Sequence, residues 1–354
     1  MLLFKEITLI AELKNTMLPK KIAAETPCRV GGLDEIVTRV DELLNLVHLR
    51  EDLLLSAADL SPRFPLRVPK SFISRMRKGD PADPLLRQVL PSALELKHRP
   101  GYSRDPLEEA CSAPTKGLLH KYHGRVLLIV VGACAIHCRY CFRRHFPYCE
   151  HALGSTEWGR ALAYIASDLT IQEVILSGGD PLYVEDRKLQ QIIEGLDTIP
   201  HLQRLRIHSR MPIILPERVN ESLLSLFTST RLKPILVVHV NHANEIDHNV
   251  RAALARLARA GVTLLNQSVL LQGINDSVQA LCALSEALFE AGVLPYYLHF
   301  LDKVEGAAHF DVSRTRAKQL IWDTLQQLPA YLVPRLVREK PGAKSKIPIC
   351  SSYF

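Results

Sequence analysis

The feature that most constrains this chain is an alternation, repeated six times from Arg125 onward, between short runs rich in Val, Ile and Leu and longer amphipathic runs. The short runs, at 126–131, 173–177, 204–208, 235–240, 262–265 and 295–300, have the length and β-branched content of buried strands. Helical spacing of apolar residues fills the intervals at 155–167, 186–198, 217–228, 249–260 and 278–291, and returns after the last strand at 313–328. A helix between consecutive strands is the connection that parallel pairing needs, because a tight turn would return the chain antiparallel. Two folds satisfy this pattern: a (β/α) barrel and an open doubly wound sheet.

The residues at the strand ends separate these two folds. A cysteine-bearing loop comes after the first strand, Ser177-Gly178-Gly179-Asp180-Pro181 after the second and His208-Ser209-Arg210 after the third. Asn241-His242 comes after the fourth, with His239 just inside it, Asn266-Gln267-Ser268 after the fifth and Asp302 after the sixth. A barrel gathers all its strand ends at one mouth, whereas an open sheet uses mainly its switch-point crevice. Polar residues at all six ends therefore predict an α/β fold of the partial (β/α)6 TIM-like type. We divide the chain into a mainly helical N-terminal extension (1–119), the partial barrel (120–312) and a C-terminal helix and closing segment (313–354). The extension contains an amphipathic stretch at 33–54 and Pro-containing segments at 62–69 and 81–91.

Composition removes other classes. At 47% apolar residues the chain is too rich in core-forming side chains for disorder. Its longest apolar run, 126–136, is about half the roughly 20 residues of a membrane span, and Lys5, Glu6 and Glu12 interrupt the apolar N-terminus. A cytoplasmic protein without membrane contact is expected. The net charge of +7 invites nucleic acid, but the basic residues are scattered and no RNA- or DNA-binding motif accompanies them, so no nucleic-acid partner is expected.

The strongest chemical signal is Cys134-Ala-Ile-His-Cys138-Arg-Tyr-Cys141. In a reducing compartment clustered thiols point to metal rather than disulfides. Structural zinc wants four ligands, usually two separated pairs, and no second pair at such spacing is evident. Three thiolates in one loop suit a [4Fe–4S] cluster with one iron open to another ligand. Cys149, beyond Pro147, reads as an ordinary cysteine, and zinc stays an alternative.

CxxxCxxC after the first strand of a partial barrel resembles the radical S-adenosylmethionine (SAM) superfamily. Within it, Leu119-His120-Lys121-Tyr122-His123-Gly124-Arg125, Phe142-Arg143-Arg144, Leu176-Ser177-Gly178-Gly179-Asp180-Pro181 and Asn266-Gln267-Ser268 resemble the lysine 2,3-aminomutases, as do Pro295-Tyr296-Tyr297 and Glu305-Gly306-Ala307-Ala308-His309-Phe310. The resemblance runs from about residue 95 to about 349. It implies an isomerase with three cofactors, a [4Fe–4S] cluster, SAM and pyridoxal 5′-phosphate (PLP). A hydrogen atom taken from the β-carbon of L-lysine would let the amino group pass from the α- to the β-carbon.

The resemblance also implies roles for residues. Cys134, Cys138 and Cys141 hold the cluster. The stretch from Glu339 through Pro341-Gly342 to Lys346-Ile347-Pro348 is similar to the family's PLP-lysine segment and makes Lys346 the catalytic, PLP-bearing lysine, with Lys344 the competitor. Without the resemblance, Lys340, Lys344 and Lys346 read as a solvated basic tail. Arg143 matches the arginine that binds the substrate carboxylate, a group suited to a guanidinium fork. Asp302 and Glu339 match the acids that hold the distal ammonium, Glu339 standing where the family has Asp. Gly178, Gly179 and Asp180 lie beside SAM, His239 and Gln267 near its adenosyl group, and Tyr140 within the cluster loop. Lys121, Tyr122 and Arg125 meet the PLP phosphate.

Catabolic members continue into a cysteine-bearing extension that binds zinc and assembles the oligomer; with Cys350 alone after Lys346, neither is expected. The chain is similar to the shorter bacterial aminomutases that make (R)-β-lysine, which a separate ligase attaches to elongation factor P. Functional partners would be that ligase and an external electron donor such as a flavodoxin. A catabolic lysine or glutamate aminomutase, a zinc-binding regulatory protein and a nucleic-acid-modifying radical SAM enzyme remain alternatives. Asp302 and Glu339 argue against a glutamate enzyme, whose substrate has no distal ammonium.

Overall fold

A computed structural model describes residues 35–50, 64–146 and 153–349. Nine strands form one sheet: β1 (Leu118–Tyr122), β2 (Arg125–Val131), β3 (Glu173–Gly178), β4 (Arg204–Ser209), β5 (Lys233–Val238), β6 (Thr263–Val269), β7 (Leu294–His299), β8 (Arg335–Arg338) and β9 (Ile347–Pro348). Their order in space is their order in the chain. From β2 to β8 every pairing is parallel, and β1 and β9 add antiparallel edges at the two ends. Every crossover thus steps in one direction, as in a barrel, whereas a doubly wound sheet would reverse at a switch point. The barrel is partial because β1 and β9 do not pair with each other.

The crossover helices are α1 (Ser155–Ser167), α2 (Asp186–Asp197), α3 (Glu221–Ser229), α4 (His248–Arg259) and α5 (Val278–Glu290), with α6 (Arg314–Leu325) between β7 and β8. Their starts obey capping chemistry. Asp247 accepts the Val250 N–H at 2.9 Å at the head of α4, satisfying a donor that has no partner inside the helix. Helical spacing predicts α3 from residue 217, but Pro216–Arg218 forms a 3-10 turn and Asn220 caps the helix, so it begins at Glu221. β3 is buried at every residue, as a strand covered on both faces must be.

Strand β8 extends the six predicted units with a seventh parallel strand. Two buried residues, Leu336 and Val337, between two exposed arginines are too short a signal for a period to show. The closing segment is consequently part of the barrel sheet.

Among the described residues before β1, the helix Val40–Leu46, the short helix Lys70–Ile73 and several 3-10 turns accompany a two-stranded ladder, Ile36–Val37 with Val68–Pro69. Val37, Leu43, Phe72 and Leu86 of this extension belong to the same apolar core as Leu128 and Val238 of the barrel. Among the described residues no helix is long and apolar enough to cross a membrane. Cys149 and Cys350 lie outside the described residues.

Candidate active site

The strand ends surround a cavity of about 900 Å³, and Cys134, Cys138 and Cys141 line it from the loop after β2. That loop is fastened to the next strand by backbone. Gly179 N–H donates to Val131 O at 2.7 Å and Asp180 N–H to Ala133 O at 3.0 Å. Gly178 has φ of 119°, and a Cβ there would lie 2.5 Å from Val131 O; one on Gly179 would lie 2.3 Å from Ala133 O. The close approach these glycines permit is therefore to the cysteine loop, although both also line the cavity. Asp180 completes the fastening: its carboxylate accepts from Leu182 N–H, Ser209 Oγ–H, Arg210 N–H and Met211 N–H at 2.7–3.2 Å, joining the ends of β3 and β4.

A buried polar hub supports the cysteines. Arg210 donates through Nη1 to Cys138 Sγ (2.8 Å) and Tyr140 Oη (3.0 Å), and through Nη2 to Gln88 Oε1 (2.6 Å) and Glu245 Oε2 (2.9 Å). Asn241 Nδ2 donates to the Tyr140 oxygen at 2.6 Å, and Tyr140 Oη lies 3.0 Å from His239 Nε2. Burial, then the charge of Arg210, lowers the His239 pKa to about 3, so its ring is neutral at physiological pH. Tyr140 and His239 stack at 5.7 Å, and His239 and Gln267 both line the cavity. On the far side of the loop, Glu95 receives Arg139 Nε at 2.8 Å and Arg144 Nη2 at 2.6 Å, holding the two arginines that flank the second and third cysteines.

The remaining predicted residues line the same cavity. Lys346 Nζ donates to Glu339 Oε2 at 2.8 Å, and Lys121 Nζ reaches Glu339 Oε1 at 3.4 Å and Glu109 Oε1 at 3.0 Å. Lys346 also lies 5.8 Å from the centre of the Tyr297 ring. Burial works against ionisation of Glu339, but Lys346 and Lys121 outweigh it and hold its carboxyl down at about 2. Asp302 behaves oppositely: burial, and then the nearby Glu339 charge, push it up to about 7. Arg125 packs over the Tyr122 ring at 4.7 Å. Arg143 donates through Nε and Nη2 to Glu109 (2.7 and 2.9 Å) and through Nη1 to Gly178 O (3.1 Å) and Ser177 Oγ (3.3 Å).

The donor set suits the cofactors that the sequence suggests. Three thiols from one loop, all lining one cavity, suit a multi-iron group with one iron left open to another ligand. Arg206 Nε, His208 Nε2 and His299 Nε2 are buried without a hydrogen-bond partner, and all three residues line the cavity beside Arg125, Lys121 and Lys346. Orphaned buried polar atoms are costly, and the Arg206 N–H can only donate, so this part of the cavity suits a ligand that offers acceptors, as a phosphorylated cofactor does.

Sequence reasoning did not single out Gln88, Glu95, Glu109, Arg206 or His299, and it assigned no role to Arg210. Gln88, Glu95 and Glu109 lie in an extension without a chemical motif and reach the site only through the fold.

A partial barrel with a three-cysteine loop at its mouth and a lysine, two acids and an arginine facing it defines a radical SAM enzyme. A domain described as "4Fe-4S single cluster domain" matches residues 123–201. L-lysine 2,3-aminomutase of Escherichia coli is 52% identical over 93% of this chain and 97% of its own length, and that of Haemophilus influenzae is 49% identical over 86% and 90%. The Clostridium subterminale L-lysine 2,3-aminomutase is 34% identical over 90% of this chain and 76% of its own. A radical SAM methyltransferase structure from Sphaerobacter thermophilus overlaps at TM-score 0.46 and 15% identity, over 62% of this chain and 68% of that one, too loose a likeness for argument. The chain belongs to the lysine 2,3-aminomutase family, isomerases that work with a [4Fe–4S] cluster, SAM and PLP.

Proposed function

We propose that this enzyme converts L-lysine to (R)-β-lysine and that the product serves the modification of elongation factor P. The observation that carries the first part is that Lys346, Arg143, Asp302 and Glu339 line the same cavity as the three cysteines. The cofactors would supply the hydrogen-abstracting radical and the conjugated system through which the amino group migrates; the protein supplies placement and exclusion of water. Cys134, Cys138 and Cys141 would hold the cluster, and Lys346 would carry PLP, with Lys121, Tyr122, Arg125 and the orphaned nitrogens of Arg206 and His208 toward its phosphate. Gly178, Gly179, Tyr140, His239 and Gln267 would surround SAM, Asp180 acting through the loop it fastens. Arg143 would grip the substrate carboxylate, while Asp302 faces the distal ammonium. Glu339, already paired with Lys346, would both attract that ammonium and hold the PLP lysine. The elongation-factor reading is supported by the resemblance of the blocks 120–123, 143–148 and 301–310 to the shorter bacterial aminomutases. It implies a separate ligase as the acceptor of the product and a flavodoxin-like electron donor.

Anaerobic reconstitution with iron, sulfide, PLP and SAM, and then incubation with L-lysine and chiral amino-acid analysis, should yield (R)-β-lysine. Absence of β-lysine together with absence of deoxyadenosine would overturn the reading.

Asp302 adds a pH signature. Only its ionised form attracts an ammonium, and its pKa of about 7 lies within the working range. Lysine affinity should therefore rise from about pH 6 to about pH 8 and then level, and Asp302→Asn should remove the slope. Because the folded state keeps a proton that the unfolded chain loses near its ordinary carboxylate pKa, this group lowers stability as pH climbs toward 7. A binding curve that is flat in the wild type would refute the assignment.

A further inference from the structure

One buried carboxylate beside the reaction cavity has no part in the chemistry above. Glu109 begins the 3-10 turn Glu109–Ser112 and is only 4% exposed. Its two oxygens take the forked edge of Arg143, at 2.7 Å from Nε and 2.9 Å from Nη2, and Oε1 also accepts from Lys121 Nζ at 3.0 Å. This is the geometry in which a guanidinium binds any carboxylate, a substrate's included. Arg143 Nη1 is meanwhile committed to Gly178 O and Ser177 Oγ. A second carboxylate can gain a two-point grip on Arg143 only by replacing Glu109.

We propose that Glu109 is an exchangeable stand-in for the carboxylate of an α-amino acid: it occupies Arg143 in the substrate-free enzyme and is displaced when substrate enters. The inference rests on the reading of Arg143 as the carboxylate seat. Exchange of one carboxylate for another preserves the bonds of the guanidinium and leaves Glu109 able to stay with Lys121. A ligand without a carboxylate offers no such exchange, because removing Glu109 for it would strand a buried arginine. Glu109 is thus a specificity-determining residue that restricts the site to amino acids and rejects plain amines.

The local backbone suits a group that moves. Leu107 is buried and anchors the segment, whereas the next residue, Glu108, has φ of 48°, a left-handed conformation uncommon for a residue with a side chain. The Glu109 N–H reaches Asp105 Oδ1 at 3.4 Å, the long limit of a hydrogen bond. The carboxylate is therefore held mainly by the two cations it faces.

The test is calorimetric titration of the cluster- and PLP-loaded enzyme, without SAM so that no turnover occurs, using L-lysine and 1,5-diaminopentane, its decarboxylated counterpart. In Glu109→Gln the neutral amide competes poorly for Arg143, and lysine should bind about tenfold more tightly than in the wild type. Unchanged or weaker lysine binding in this variant overturns the proposal. If the wild type binds lysine and diaminopentane equally, Arg143 is not the carboxylate seat and the underlying reading fails instead. Hydrogen exchange on the wild-type holoenzyme gives a readout independent of any variant's folding. Lysine should accelerate amide exchange across residues 107–112 by releasing Glu109, whereas slowed or unchanged exchange there would show a fixed residue.

Discussion

In the Lys346→Ala protein, borohydride should trap no PLP on the polypeptide and turnover should fall by on the order of a thousandfold, while iron content stays at the wild-type level. Lys346 is half-buried in the cavity wall and paired at 2.8 Å with Glu339, whose charge orients its amine. Removing it leaves Glu339 with Lys121 at 3.4 Å and takes the cavity's nucleophilic amine away from the Tyr297 ring. The cysteines come from a separate element, the loop after β2, so their placement should not change. Lys344→Ala is the matched control: that residue is exposed and does not line the cavity, so trapping should persist. Trapping that survives in Lys346→Ala and disappears in Lys344→Ala would move the PLP lysine two residues back, to Lys344.

Gly179→Ala should damage the enzyme from the cluster side. The added methyl would lie 2.3 Å from Ala133 O, 2.7 Å from Ala133 C and 2.9 Å from Ala133 N. These are backbone atoms of the residue before Cys134, so the strain cannot be relieved by turning a side chain. Overpacking of this kind costs about 3 kcal/mol, and relief by shifting the loop would move Cys134, the first of the proposed cluster ligands. We expect a melting temperature lower by several degrees and iron retention reduced by more than half, measured on the reconstituted protein. Gly261→Ala offers a contrast: with φ of 80° and nothing within 4 Å of its Cβ position, it should carry only the backbone cost of about 1 kcal/mol and keep its iron. Equal iron loss in both variants would show that Gly179 has no special relation to the loop.

The periodic elements were legible because their signals are local. β2 to β7 and the crossover helices each occupy a run long enough for its spacing to register, and the cysteines lie within one loop. Boundaries shifted where turn chemistry intervened, as at Pro216–Arg218 before α3. β8 was missed for lack of length, two apolar residues being too few for a pattern. The hidden part of the site has another cause. Gln88 joins Tyr140, Arg210, Asn241 and Glu245, and Glu95 joins Arg139 and Arg144, across separations that no window of sequence spans. These partners are fixed by burial and charge compensation, properties that exist only once the chain has folded. The resemblance to the aminomutases assigned ligand roles to residues that line the cavity, but it gave no sign of the carboxylate seated on Arg143.

The incomplete barrel has a seam, and its edges meet in a particular way. Lys121 belongs to β1 at one margin of the sheet, while Glu339 comes just after β8 near the other, and their contact at 3.4 Å spans a gap that no strand pairing bridges. Glu109 and Lys346 extend this contact into a line of alternating charge. Such a clasp can part without breaking a backbone ladder, and because its side chains are largely buried, salt screens it far less than a surface pair. The enzyme therefore closes the seam beside its reaction chamber with a zip fastener of side chains in place of a backbone ladder.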